Sequence, residues 1–152
     1  IGHTPFDEPA GTPVQPTAAR GVEGTVEILP PFVDGLADLD GFSHVILLFH
    51  CHLAGEPRLR VTPFLDDTPR GVFATRAPSR PNAIGLSVVR LREVREGVLL
   101  VLDVDMLDGT PLLDIKPYVP DLDCREADRL GWLEDRVNRF ETYTDDGRFA
   151  DR

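Results

Sequence analysis

A mainly β fold, a single compact barrel-like domain followed by a C-terminal amphipathic helix, is what this sequence predicts, and three observations carry it. Apolar runs of strand length recur at short intervals along most of the chain. Glycine, proline, asparagine and aspartate fill the gaps between them with turn chemistry. No Gly-x-Gly-x-x-Gly segment follows a strand, as a doubly wound dinucleotide fold would require. Residues 1–122 are assigned to the barrel and residues 123–152 to the helix and tail.

Taken in order, Asp7 to Ala19 holds several prolines and reads as an irregular loop. Gly24 to Leu29 alternates Thr25 and Glu27 with Val26 and Ile28, the pattern of a half-buried strand. Phe32 to Leu39 suits a short helical turn before Asp40-Gly41. Val45 to Phe49 is a continuous apolar run, fit for a strand buried on both faces at the centre of the fold. Arg58 to Arg70 is broken by prolines and reads as a loop. Gly71 to Thr75, Ile84 to Val94 and Val98 to Met106 read as strands, the last two joined as a hairpin at Glu96-Gly97. From Asp123, Leu130, Leu133, Val137 and Phe140 recur at helical spacing among charges, so an amphipathic helix is expected to end before Asp145-Asp146-Gly147.

The chain of 152 residues is long enough to bury a core without disulfides or metals. Its net charge of −10 argues against a broad nucleic-acid platform, since non-specific affinity for a polyanion comes from neutralised phosphates. The arginines, however, cluster in the middle of the chain, at Arg58, Arg60, Arg70, Arg76, Arg80, Arg90, Arg92 and Arg95, which leaves room for a local basic groove. No apolar run reaches the roughly 20 residues of a membrane span and no signal peptide is evident, so the cytoplasm is expected. Cys51 and Cys124 are read as reduced thiols. His50 and His52 share a strand face with no third ligand nearby in sequence, so no metal is expected.

Two segments carry candidate chemistry. Between Gly71 and Ser87, Arg76 and Arg80 offer planar forks suited to carboxylate or phosphate, and Pro78 and Pro81 stiffen the backbone and push Ser79 and Arg80 towards extended conformations. Asn82 and Gly85 add an amide and a bare backbone that a ligand can approach. Further on, the Asp108-Gly109 turn leads into a strand on which Asp114, Lys116 and Tyr118 share one face, with Leu113 and Ile115 on the other. Lys116 is the single lysine of the chain, so its place between an aspartate and a tyrosine is distinctive.

Gly71-Val-Phe-Ala-Thr-Arg76, Arg80-Pro-Asn82, Ile84-Gly-Leu-Ser87 and Asp108-Gly-Thr-Pro with Asp114-Ile-Lys-Pro-Tyr118 together resemble the signatures of the TsaA-like (TrmO) family. The likeness runs from about Pro13 to Tyr118. It implies a compact β-barrel, a homodimer with the cofactor near the subunit interface, and S-adenosylmethionine-dependent methylation of tRNA at N6 of threonylcarbamoyladenosine 37. It places cofactor contacts at Pro16, Thr17 and Ala18, at His50 and Cys51, at Arg76, at Leu86, and at Leu102, Asp103, Val104 and Asp105. Asp114, Lys116 and Tyr118 become the candidates for proton handling and for holding the acceptor, and Arg80 with Asn82 the candidates for binding it.

Two positions depart from the family pattern: Ala83 replaces a common proline, and Val14 stands where an arginine often precedes the glutamine of the first loop. The loss of that arginine puts a tRNA contact there in question. Relatives usually begin several residues before the Thr4-Pro5-Phe6 step, so a trimmed start is expected, and longer ones carry a second C-terminal domain for which this chain has no room. A small-molecule methyltransferase and a non-catalytic binder of the cofactor or a nucleotide are the alternative readings. The acidic charge favours the first and the lack of an evident base the second.

Overall fold

Six strands pair antiparallel in one sheet, in the order β1-β2-β7-β6-β3-β8. They are β1 (Gly2–His3), β2 (Glu23–Glu27), β3 (His44–His50), β6 (Ile84–Arg95), β7 (Val98–Leu102) and β8 (Leu112–Pro117), while β4 (Arg60–Val61) and β5 (Arg70–Gly71) form a separate two-stranded ribbon. The computed structural model describes residues 1–136 and 141–150.

The mainly β expectation holds, but the sheet does not close into a barrel. Its two edges meet only at a bridge between Gly2 and Thr110, because β1 is two residues long and supplies no ladder that β8 could join. The β6–β7 hairpin turns where the sequence predicts. Glu96 (φ 51°) and Gly97 (φ 82°) both take left-handed backbone, as a two-residue primed turn requires.

The run Val45–Phe49 forms β3, but as the neighbour of an edge strand rather than the centre of the sheet. Val45, Leu47 and Phe49 are buried, and Ile46 and Leu48 on the reverse face are half-buried. Gly71 to Thr75 gives one strand residue and then a 3-10 turn over Val72–Ala74, and the loop expected from Arg58 to Arg70 contains β4. The strand expected from Val98 to Met106 stops at Leu102. There Asp103 takes φ 68° and its carboxylate accepts a hydrogen bond from Gly21 N–H at 2.7 Å, which swings the chain out of the ladder.

A bulge in the β3–β8 pairing shifts the register between Leu48 and Phe49, so Leu112 and Ile115 pack on the core and Leu113 stands exposed. The C-terminal helix is not found where it can be followed. A one-turn helix α1 (Pro120–Asp123) and a 3-10 turn at Gly131–Leu133 are separated by non-helical backbone, and Val137 and Phe140 lie outside the described residues. Gly131, between Leu130 and Leu133, takes left-handed backbone at φ 60°, which a continuous helix through that leucine spacing could not hold.

The main core gathers Val26, Val45, Leu47, Val89, Leu99, Val101 and Val104 on one face of the sheet. A second cluster joins Val61, Val72 and Ala77 to Phe149, with Phe64 packed on it. The tail reaches this cluster through paired backbone: Gly55 N–H donates to the Phe149 carbonyl at 2.7 Å, and Asp145 N–H donates to the Thr12 carbonyl at 2.7 Å.

Candidate functional site

A cleft of about 300 Å³ opens at the seam between the two clusters. Phe49 and Met106 come to it from the main core, and Phe64 and Phe149 from the second cluster. Among the polar groups that converge on these apolar walls are Arg76, Ser87, Asp105, Cys51 and His52. Apolar walls with a few placed polar groups make a small-molecule site.

Register explains how they meet. Ser87 pairs directly with Leu47 and Gly85 with Phe49, so both point to the core side of the sheet. The turn at Asp103 carries Asp105 round to the same side, where Ser87 Oγ–H donates to its Oδ1 at 2.5 Å. Gly85 is needed there because a Cβ at this position would collide with the Phe49 ring. Arg76 leaves its loop to donate from Nη1 to Gln15 Oε1 at 2.9 Å, which fixes the guanidinium at the rim.

Burial pushes the Asp105 carboxyl up to about 6, against the opposing pull of the Ser87 hydroxyl and the Arg76 charge. Cys51 is pushed up to about 11 by burial and by the Asp105 charge, only partly offset by Arg80, so it is a neutral thiol and a wall rather than a nucleophile. His52 Nδ1 is buried with no hydrogen-bond partner among the described residues, which leaves a polar group for a ligand to satisfy. Among the described residues no three His, Cys, Asp or Glu side chains converge as a metal site would need, and no helix is long and apolar enough to cross a membrane.

Of the cofactor positions expected from the sequence, the cleft brings together Cys51, Arg76, Leu86 and Asp105. Thr17 lines a neighbouring cleft; Pro16 and Ala18 share its 3-10 turn, and His50 ends β3 as an exposed residue. Leu102 and Asp103 lead the chain towards Asp105, and Val104 is a core residue. Arg80 is half-buried and donates to the Thr75 carbonyl at 3.2 Å, holding the arginine loop closed; the Asn82 carbonyl in that loop accepts from Ile84 N–H at 2.7 Å.

Asp114, Lys116 and Tyr118 are elsewhere. Asp114 pairs with Leu48 and Lys116 with Ile46, so these side chains leave the sheet on the face opposite Ser87 and Asp105. Lys116 Nζ and Asp114 Oδ2 form an exposed ion pair at 2.7 Å, which holds the carboxyl below the usual carboxylate range. Tyr118 Oη contacts Cys124 Sγ at 3.0 Å. Ser87 and His52 are the site residues that sequence reading missed. A serine in a strand and a histidine past its end carry no signal until the register is known.

Sheet and cleft together define a β-rich domain built around a small-molecule site. The model of the tRNA-methyltransferase O N-terminal domain matches residues 1–124, and the chain belongs to this TrmO family. A Pyrococcus abyssi protein described as a "probable S-adenosyl-L-methionine-binding protein" is 56% identical over 149 residues, covering 98% of this chain and 81% of that protein. A mouse tRNA (adenine(37)-N6)-methyltransferase is 40% identical, covering 78% of this chain and 29% of the enzyme. The crystal structure of TrmO from Pseudomonas aeruginosa superposes with a TM-score of 0.71 at 45% identity, covering 86% of this chain and 58% of that one. The chain therefore spans most of the archaeal relative but little more than half of the solved bacterial enzyme.

Proposed function

We propose that this protein is an S-adenosylmethionine-dependent methyltransferase acting on N6 of adenine 37 in tRNA, with threonylcarbamoyladenosine as the acceptor base. The observation that carries the reading is the convergence of Arg76, Ser87 and Asp105 on one cleft of a TrmO-family domain. The cleft fits the cofactor: Arg76 answers a carboxylate, the orphan His52 nitrogen and the Asp105–Ser87 pair answer polar groups, and Phe49, Phe64 and Met106 give apolar walls.

When bound, S-adenosylmethionine supplies an electrophilic methyl carbon on a positively charged sulfur. The chain's own residues then have two tasks. Arg76, anchored by Gln15, orients the bound molecule from the rim, and positioning of this kind contributes on the order of 7–11 kcal/mol in favourable models. Asp105 takes the proton that the acceptor nitrogen must lose. A carboxyl titrating at about 6 is mostly ionised at neutral pH, yet basic enough to receive it.

Asp114, Lys116 and Tyr118 hold the acceptor as groups presented by a second copy. Their face also exposes Ile84 (51%) and Leu86 (52%), apolar residues that a homodimer would cover. There Lys116 is a point charge for an acceptor phosphate, with Arg80 and Asn82 shaping the loop between the two sites. The two free thiols suit a reducing cytoplasm. Mass spectrometry of nucleosides from tRNA incubated with protein and cofactor tests the reading: methylated threonylcarbamoyladenosine supports it. Cofactor binding without any methylated nucleoside would leave a binding module.

A further inference from the structure

Beside the cofactor cleft lies a second one, of about 590 Å³, that nothing above uses. The two share Val14, Gln15, Phe64, Arg76 and Phe149 as a common wall. The far side of the second cleft is aromatic and comes from different parts of the chain. Phe73 stands on the 3-10 turn of the arginine loop, 76% exposed, and Trp132 and Leu133 come from the C-terminal segment, beyond the residues that the family model matches.

Trp132 is held in place. Its indole N–H donates to the Ala74 carbonyl at 2.7 Å, and the Arg70 guanidinium lies over its ring at 5.9 Å from the centroid. Arg70 is itself tied to Asp66, which also draws in Arg136. With its one donor spent, the indole offers the cleft a π surface and no hydrogen bond.

We propose that this second cleft holds the acceptor adenine, unstacked from the RNA, with Trp132 and Phe73 as its stacking surfaces and Arg76 at the boundary between base and cofactor. The inference rests on the methyltransferase reading above and adds where the acceptor goes. Methyl transfer requires the amino nitrogen within about 3–3.5 Å of the methyl carbon, so the base must leave its stack and enter a slot contiguous with the cofactor. Single-stranded bases taken out of a stack are held on aromatic faces. This aromatic cleft shares a wall with the cofactor site. The C-terminal segment is then part of the acceptor site, and a domain cut at residue 124 lacks the indole.

Trp132 is the chain's single tryptophan, so its fluorescence reports on this cleft alone. With the cofactor site saturated by S-adenosylhomocysteine, adding threonylcarbamoyladenosine nucleoside or an anticodon stem-loop carrying it should quench the emission. An unchanged signal at concentrations that support turnover overturns the inference. Trp132→Ala should raise the acceptor KM at least about tenfold and leave the S-adenosylhomocysteine dissociation constant within about twofold; Trp132→Phe should restore most of the loss. Phe73→Ala, at an exposed ring whose removal does not threaten folding, should raise the acceptor KM about fivefold and serves if Trp132→Ala does not fold. Wild-type KM in these variants, or a loss of cofactor affinity in place of acceptor affinity, overturns the assignment while methylation by the parent protein stands. A parent protein that methylates no tRNA removes the underlying reading instead.

Discussion

Two carboxylates on opposite faces of one sheet have opposite fates. Asp105 sits in the cleft against Ser87, and burial raises it to about 6; Asp114 sits on the reverse face against Lys116, in solvent, and is lowered. Asp114 has the Lys116 ammonium and the Ile115 N–H at 2.9 Å for partners, whereas Asp105 has the Ser87 hydroxyl. Partner and solvent act together: a carboxylate that keeps its water gains from a neighbouring ammonium, whereas one stripped of water loses more than a hydroxyl returns. A carboxyl that titrates at about 6 is therefore in the cleft, while Asp114 and Lys116 form a solvated ion pair on the reverse face.

The largest effect that can break this contrast is on turnover. Asp105→Asn removes the proton acceptor and should lower kcat by about 10²–10⁴-fold, measured by single-turnover methyl transfer at saturating cofactor. Full activity in the variant would move the chemistry out of the cleft. The same group predicts a stability trend. Its folded carboxyl binds a proton more tightly than the unfolded one, so Asp105 costs stability above pH 6, and the cost fades as pH falls through about 6 towards the unfolded value. In thermal melts Asp105→Asn should therefore gain on the parent at pH 7 and lose that gain near pH 4.

Smaller effects sharpen the picture. Arg76→Ala should weaken binding of S-adenosylmethionine by about 1.5–3 kcal/mol in calorimetry, the worth of a hydrogen bond to a charged group. Gly85→Ala forces Phe49 aside and should cost about 1–3 kcal/mol in denaturant unfolding, together with cofactor affinity, because the displaced ring is a cleft wall. Lys116→Ala should raise the tRNA KM by about tenfold with kcat unchanged, as expected of a phosphate contact. A fall in kcat instead would restore the reverse face to the chemistry.

Much of this was legible in the sequence, and the exceptions have physical causes. Glu96-Gly97 announced its hairpin because a primed turn needs left-handed backbone at both positions, and Arg76 was legible because its planar fork, in a loop stiffened by Pro78 and Pro81, suits an anion. Asp114 and Lys116 were correctly placed on one face by period two, but alternation cannot say which face meets a cleft. That needs the pairing of β3 with both β6 and β8, a long-range fact. Ser87 stayed hidden for the same reason, and although the family likeness named Asp105 among the cofactor contacts, its pairing with Ser87 depends on the turn at Asp103, which has no Gly or Pro to mark it. The bulge at Leu113 and the open sheet depend likewise on where neighbouring strands end.

The central claim, that proton transfer occurs at Asp105, is tested most directly by the pH dependence of methyl transfer under single-turnover conditions. The parent protein should show a limb rising with pH through about 6, and Asp105→Asn should be slow and lack it. The same rising limb in both proteins would contradict the claim and assign the proton to another group.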